Sequence, residues 1–328
     1  MYMDQQFEHM HLPIRGLNLH VAQAGKGDKG TVVFLHGFPE IWYSWRHQML
    51  AVAAAGYRAV APDWRGYGLS DEPPVEEEVV YDDLLDDLLG ILDALSIPKV
   101  FLVGKDFGAV ATYDFALRHP DRVCGVMCLG IPFTPFTASF PNMPEGFYMS
   151  RWLEPGRAEA DFDRYDVKRV VRTIYILFSS SEIPIAKEDQ EITDLADLLT
   201  PLPEWFSEKD LSVYASLYEK SGFRYPLKMP YRCIYMSDVL DRSTDKRETI
   251  ENPKFQVPVF VVMGDKDYVN KLPGFETLLK GGIMAMFAPD LKIAFVPEGS
   301  HFVQEQFPDK VNELLIGFLK DHSVPATA

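Results

Sequence analysis

The run Val100-Phe101-Leu102-Val103-Gly104-Lys105-Asp106-Phe107-Gly108-Ala109 joins a short apolar stretch to the start of a helical pattern. Its centre reads Gly-x-Asp-x-Gly. This pattern is typical of a sharp, strained turn between a strand and a helix, in which small residues let the two elements approach closely. The turn presents its central side chain, so Asp106 is predicted to be a nucleophile. The alternative is an ordinary helix N-cap, for which Asp is also well suited.

A second motif, His36-Gly37-Phe38-Pro39, directly follows another apolar run at 31–35. In folds that carry such a turn, this loop supplies one backbone N–H to an oxyanion hole, and the residue after the nucleophile supplies the other. The N–H groups of Phe38 and Phe107 are therefore the predicted oxyanion donors. His36 itself is a candidate for positioning water. The alternative is a buried histidine that fixes the loop by hydrogen bonds.

The order of the remaining polar residues completes a triad. In this kind of site the chain order is nucleophile, acid, histidine. His301 follows the apolar run 292–296, whereas His322 lies in the polar tail. The run 259–263 precedes two carboxylates, Asp265 and Asp267, and either could be the acid by position alone.

Apolar runs alternate with helical patterns along much of the chain. The predicted buried strands are 31–35, 57–61, 100–103, 123–129, 257–263 and 292–296, with antiparallel edge strands within 7–24. Strands that alternate with helices indicate a mostly parallel sheet. With the turn and the triad, this rhythm predicts an α/β-hydrolase fold, an eight-stranded sheet flanked by helices. The rhythm stops between 134 and 252, where helical patterns predict an inserted cap on a core made of 1–133 and 253–328.

An aspartate nucleophile narrows the reaction. Attack by a carboxylate on an sp³ carbon gives an alkyl ester whose carbonyl belongs to the enzyme, so water can cleave it there. The carboxylate is ionised at neutral pH, and His301 would act as the general base for water in the second step. Carbon–halogen bonds and epoxides are the two electrophiles that fit. Phe38 and Phe107 offer no side-chain donor for a halide, which favours an epoxide over a haloalkane or haloacid.

Four runs carry a resemblance over nearly the whole chain: 36–40 (HGFPE), 63–70 (DWRGYGLS), 264–268 (GDKDY) and 299–302 (GSHF). They resemble the plant-type soluble epoxide hydrolases, which turn epoxides into vicinal diols. The resemblance implies that Asp267, not Asp265, is the triad acid. It also implies that Glu40 positions the hydrolytic water, with a solvated loop charge as the alternative.

The same resemblance implies two cap tyrosines that hold the epoxide oxygen. Tyr148 matches the first of them within Gly146-Phe147-Tyr148-Met149-Ser150. Tyr231 matches the second more loosely, because Pro230 stands where many relatives have an aromatic residue. Tyr225 and Tyr235 are nearby competitors. A neutral phenol is well matched to protonate the alkoxide that ring opening creates.

Composition limits the partners. The 328 residues carry a formal net charge of −16, which disfavours binding to nucleic acid or to an anionic membrane. No run of about 18 apolar residues predicts a transmembrane helix, and no Cys/His cluster predicts a metal site. We expect no cofactor, a small apolar epoxide and water as the partners, and an oligomeric state left open between monomer and homodimer.

The three cysteines bear on location. Cys124 and Cys128 lie on one predicted strand, about 13 Å apart, which is too far for a disulfide. The segment from Met1 to Arg15 has no apolar signal core. Both observations predict a cytoplasmic protein. Besides a dehalogenase, a receptor without catalysis on a hydrolase scaffold is the remaining alternative.

Overall fold

The computed structural model describes residues 6–74, 80–134, 143–235, 250 and 252–322. Within these ranges the chain forms one sheet of eight strands in the order β1-β2-β4-β3-β5-β6-β7-β8. The strands are β1 (Glu8–Ile14), β2 (Leu17–Ala24), β3 (Thr31–Leu35), β4 (Arg58–Pro62), β5 (Val100–Lys105), β6 (Val123–Leu129), β7 (Val259–Gly264) and β8 (Leu291–Val296). β2 runs antiparallel to β1 and β4, and all other neighbouring pairs in this sheet are parallel.

The helices occur between and after the strands. They are α1 (Arg46–Ala54), α2 (Asp82–Ala94), α3 (Phe107–Arg118), α4 (Tyr148–Leu153), α5 (Arg157–Phe162), α6 (Val167–Ser179), α7 (Glu208–Ser221), α8 (Arg224–Pro226), α9 (Phe275–Lys280), α10 (Val303–Gln306) and α11 (Pro308–His322). Short 3₁₀ turns cover Trp42–Trp45, Pro120–Arg122, Ile192–Leu195, Tyr268–Lys271 and Met284–Met286, and further helical turns cover Leu227–Tyr235.

The central strands are apolar on both faces because helices cover both faces of the sheet. In β3, Val32 and Phe34 pack into one hydrophobic cluster, while Val33 and Leu35 pack into the other. Every residue of β5 and of β7 is buried. The predicted α/β-hydrolase fold with a mostly parallel sheet is confirmed.

Strand ends differ from the prediction by one or two residues, with identifiable causes. β7 pairs with β6 from Val259 onward, and Pro258 has no N–H to donate to a ladder. β5 extends past the apolar run, because Gly104 and Lys105 still pair with β6. A lysine at the end of a buried strand was not predicted.

The chain between β6 and β7 is helical where it is described. Residues 143–235 hold α4 to α8, and α7 begins with a capping box between Ser207 and Asp210. Parts of the predicted core and cap lie outside the described residues: 1–5, 75–79, 135–142, 236–249, 251 and 323–328. The division of the chain at 134 and 252 therefore stays a prediction.

Candidate active site

The turn after β5 has the strained geometry that the sequence predicts. Asp106 lies at φ 54° and ψ −129°, a region that residues with a Cβ rarely occupy. The two glycines are needed for close approach. A Cβ at Gly108 would lie 2.3 Å from the Leu35 carbonyl oxygen, and one at Gly104 would lie 2.4 Å from the Gly108 oxygen. The strand, the turn and α3 could not pack this closely with larger residues.

The loop after β3 reaches the Asp106 carboxylate. The Phe38 N–H donates to Asp106 Oδ1 at 3.1 Å, and the Phe107 N–H acts on the same side chain to lower the pKa of its carboxyl. Gly37 allows the approach, since a Cβ there would lie 2.3 Å from the Asp106 Cβ. The two predicted oxyanion donors thus meet on the side chain of the predicted nucleophile.

The loops after β7 and β8 bring the acid to the histidine. A Cβ at Gly264 would lie 2.2 Å from the Gly299 oxygen, so these loops pack backbone against backbone. His301 Nδ1 lies 3.0 Å from Asp267 Oδ2 and 3.1 Å from Oδ1. Its Nε2 lies 3.4 Å from Asp106 Oδ2. Asp265, the competing carboxylate, is exposed to solvent.

The local charges favour an ionised Asp106. Burial acts to raise the pKa of the Asp106 carboxyl, but the His301 bond, the His301 and Lys105 charges and the Phe107 N–H together lower it to about 2. For His301, burial lowers the pKa and Lys105 lowers it further, while Asp267 and Asp106 raise it; the pKa is raised on balance. The Asp106 side chain is 18% exposed, so a small electrophile can reach it. Asp106 then meets that electrophile as a charged carboxylate.

Glu40 and His36 belong to the loop after β3 that carries the Phe38 N–H, and both side chains are fully buried. Glu40 accepts from the Gly37 N–H at 3.2 Å and from the Gln304 side-chain amide. Its burial raises the pKa of the Glu40 carboxyl to about 7. These contacts oppose the interpretation of Glu40 as a solvated loop charge.

The two ring nitrogens of His36 both bond to the backbone. Nδ1 lies 2.9 Å from the Gly37 oxygen, and Nε2 accepts from the Trp64 N–H at 3.2 Å. Burial lowers the pKa of His36 to about 4, so the ring is neutral. These bonds support the alternative in which His36 fixes the loop, and water positioning by His36 stays a prediction without a supporting contact.

Both predicted tyrosines flank one indole. The Tyr148 and Tyr231 rings each lie 5.1 Å from the Trp152 ring. Tyr231 also packs edge-on against Phe38 at 5.6 Å, next to the backbone that binds Asp106. The competitor Tyr225 packs instead against Gly66 of the loop after β4. The side chain of Tyr235 lies outside the described residues.

Two polar residues at the site were missed by sequence reasoning. Lys105 Nζ lies 2.9 Å from His301 Nε2, and the Tyr268 hydroxyl lies 3.0 Å from the Tyr148 hydroxyl. Both residues directly adjoin a predicted catalytic carboxylate in the sequence. A signal was therefore present: a lysine within an otherwise apolar strand end, and a tyrosine directly after the acid.

Metal-binding clusters and membrane-spanning helices are both absent from the described ranges. No group of three His, Cys, Asp or Glu side chains in them is arranged to hold a metal ion. Nor does any helix in these ranges have the length and apolar character to cross a membrane.

Known proteins resemble this chain over nearly its full length. The alpha/beta hydrolase fold family matches residues 30–176. Epoxide hydrolase 1 of Siraitia grosvenorii is 35% identical, over 96% of this chain and 99% of that protein. A crystal structure of an epoxide hydrolase from Vigna radiata superposes with a TM-score of 0.86 at 31% identity, over 98% of this chain and 100% of that one. Potato epoxide hydrolase I gives 0.81 at 29% identity, over 96% and 99%. The chain belongs to the epoxide hydrolase family of the α/β-hydrolase fold.

Proposed function

We propose that this protein hydrolyses small apolar epoxides to vicinal diols through an ester on Asp106. One observation carries the proposal: the Asp106 carboxylate contacts the Phe38 N–H on one oxygen and lies 3.4 Å from His301 Nε2 on the other. The oxygen held by backbone N–H groups becomes the ester carbonyl oxygen. The other oxygen is the attacking one.

In the first step Asp106 attacks a ring carbon and the carbon–oxygen bond of the epoxide breaks. Tyr148 and Tyr231 bind the epoxide oxygen, and one of them gives its proton to the alkoxide. The Tyr148 hydroxyl can accept from Tyr268, 3.0 Å away, and so remains free to donate its own proton. Replacing both Tyr148 and Tyr231 with Phe should abolish ring opening, and near-normal rates would mean that other tyrosines act.

In the second step water attacks the ester carbonyl carbon. His301 Nε2 takes the proton from water while Asp267 holds Nδ1–H, and the oxyanion forms next to the backbone N–H groups that already bind Asp106. The intermediate then expels the diol oxygen, which takes the proton back from His301. The proton left on the Asp106 carboxyl restores the tyrosine, so one epoxide and one water become one diol.

Two further assignments belong to this proposal. Glu40 positions the attacking water, which its burial and its place beneath Gly37 support. The segment 134–252 serves as a cap over Asp106. The aromatic side chains of Phe38, Trp152 and Phe178 around the tyrosines support an apolar substrate.

The variant His301→Gln tests the scheme directly. It leaves the first step intact and removes the base of the second, so mass spectrometry should show Asp106 covalently modified by the epoxide. His322→Gln is the matched control, because this histidine lies at the end of α11 away from the triad loops, and it should turn over without accumulating an adduct. A His301→Gln protein that binds epoxide but stays unmodified at Asp106 would refute the mechanism.

A panel assay separates the alternatives. Diol formation from styrene oxide and from a fatty-acid epoxide identifies the substrate class. Halide release from haloalkanes or haloacids without diol formation would instead establish a dehalogenase. Binding of epoxides without turnover would establish the non-catalytic receptor.

The cytoplasmic location and the homodimer stay proposals. Cys124 and Cys128 carry free thiols, which supports a reducing compartment. Fractionation of cells with an antibody to the chain tests the location. Light scattering on the purified protein tests the dimer.

A further inference from the structure

Lys105 is a buried lysine in contact with the histidine of the triad. Its side chain is fully buried at the end of β5, one residue before Asp106. The ammonium nitrogen lies 2.9 Å from His301 Nε2. Gly130, which follows β6, makes room for this contact: a Cβ there would lie 2.8 Å from Lys105 Nζ and 3.4 Å from His301 Cε1. The Lys105 charge also lies 5.9 Å from the centre of the Phe302 ring.

The contact with a charged Lys105 selects one form of the imidazole, against the two carboxylates that favour the imidazolium. His301 Nδ1 faces both carboxylate oxygens of Asp267 and must donate to them. An ammonium has three donors and no acceptor, so Nε2 must accept from Lys105. This arrangement is the neutral tautomer whose Nε2 lone pair can remove a proton from water.

We propose that Lys105 is a positioning residue for the hydrolysis step: its buried charge keeps His301 neutral, with Nε2 as the basic nitrogen, when the ester forms. This inference rests on the proposed function, because the step belongs to that mechanism. When water arrives at Nε2 the ammonium gives up one hydrogen bond, but its charge stays within the site.

The state of the ester explains why a cation is needed. Four groups besides Lys105 face His301: Asp267, Asp106, Glu40 and Tyr268. In the free protein Asp106 and Asp267 both favour the imidazolium, and a protonated His301 cannot act as a base. The ester removes the Asp106 charge but leaves Asp267 and Glu40. Lys105 opposes their effect on His301, because its charge lowers the pKa of His301. It also lowers the pKa of Glu40 and so keeps that carboxylate charged.

Glu40 could confuse the test, because its own pKa is about 7 and Lys105 affects it. The experiment therefore uses the Glu40→Gln background. Single-turnover reactions are quenched across pH, and the Asp106 ester is counted by mass spectrometry. The rate of ester loss then falls at low pH only as His301 takes a proton.

Replacing Lys105 with Met in this background should move the acidic limb of ester hydrolysis upward by about one to two pH units. Lys105→Gln retains a polar donor without the charge and should move the limb equally. Lys266→Met removes an exposed lysine beside the triad acid and should leave the limb in place. An unmoved limb in Lys105→Met, or a parental profile in Lys105→Gln, would overturn the proposal.

A second measurement does not depend on turnover. Asp106→Asn carries a neutral amide in place of the neutral ester, and ¹⁵N-labelled histidine reports the pKa and the tautomer of His301 by NMR. Comparison with His301→Gln assigns the signal among the eight histidines. Adding Lys105→Met should raise the pKa of His301 by a similar amount, and an unchanged pKa refutes the inference. Failure of the proposed function looks different, because Asp106 would then never be alkylated.

Discussion

A buried ion pair between Arg46 and Glu305 is contacted by side chains of the helices that follow β6, and breaking it should change the stability measurably. Glu305 in α10 accepts from Arg46 Nη1 at 2.5 Å, from Tyr175 OH at 3.2 Å and from Tyr214 OH at 3.0 Å. The Glu305 side chain is fully buried, and that of Arg46 is 12% exposed. The two tyrosines belong to α6 and α7. Arg46 also pairs with Asp210 of α7 at 3.2 Å.

The perturbation is Arg46→Met, which keeps the aliphatic stem and removes the charge. Loss of one partner from a buried pair costs about 3–5 kcal/mol, because the other charge is left uncompensated. Two tyrosine hydroxyls still bind Glu305, so we expect the lower end, about 3 kcal/mol. In the Glu305→Gln background the same replacement leaves no charge at position 305 to be uncompensated, and it should cost roughly 1 kcal/mol.

The loss of unfolding free energy in Arg46→Met should increase as the pH rises. Burial raises the pKa of Glu305, and Arg46 lowers it, so Arg46→Met raises it further. A group whose folded pKa is raised binds more protons in the native state, and stability falls as pH rises above the unfolded pKa of about 4.3. The penalty of Arg46→Met should therefore grow between about pH 5 and pH 8. Asp210 adds to the penalty, because Arg46 helps to lower its pKa, but this part is complete above the unfolded pKa of about 3.9 and stays constant between pH 5 and pH 8.

Urea denaturation, followed by tryptophan fluorescence and far-UV circular dichroism, measures the free energies. Coincident transitions justify a single value for each variant. A cost below about 1 kcal/mol for Arg46→Met, or an equal cost in both backgrounds, would refute the reasoning that burial makes the pair indispensable.

Three further predictions follow from single contacts. Tyr268→Phe removes the hydroxyl beside Tyr148 and should slow Asp106 alkylation about tenfold, while ester hydrolysis measured by stopped flow stays unchanged; equal slowing of both steps would contradict it. The pKa of Glu40 is about 7, so the ester-hydrolysis rate should decline below that pH as its carboxylate is protonated, and Glu40→Gln should be slower and lack this part of the profile. Gly108→Ala places a Cβ 2.3 Å from a backbone oxygen and should lower the unfolding free energy by roughly 2 kcal/mol or more. Its matched control is Gly317→Ala in α11, where nothing lies within 4 Å and a stabilisation of about 0.5–1 kcal/mol is expected; equal thermal shifts for the two alanines would disprove the steric argument.

Local patterns predicted the elements that carry the site. β3 and β6 begin and end at the predicted residues, and α3 begins at Phe107, within the quoted Gly-x-Asp-x-Gly run. These elements are readable because apolar runs and helical periodicity are local properties of a chain. Lys105 was missed for the same reason: a charged residue does not continue an apolar run, although the ladder with β6 extends to it.

The choice between Asp265 and Asp267 shows where local reasoning stops. Both carboxylates follow the same strand, and only the resemblance favoured the second. In the structure Asp267 contacts His301, because the loops that follow β7 and β8 pack against each other at Gly264 and Gly299. Such a contact depends on the packing of two strands that are neighbours only in the folded sheet.

The fold class, the strained turn at Asp106 and the candidate partners of Asp106 were predictable from the amino-acid sequence, because each is marked by a motif of a few adjacent residues. Tertiary structure alone decided which groups surround them. Lys105 meets His301 across 196 positions of the chain, Tyr148 meets Tyr268 across 120, and Arg46 meets Glu305 across 259. Burial and neighbouring charges act through space, so the protonation states of Asp106, Glu40 and His301 follow from packing that no local pattern records.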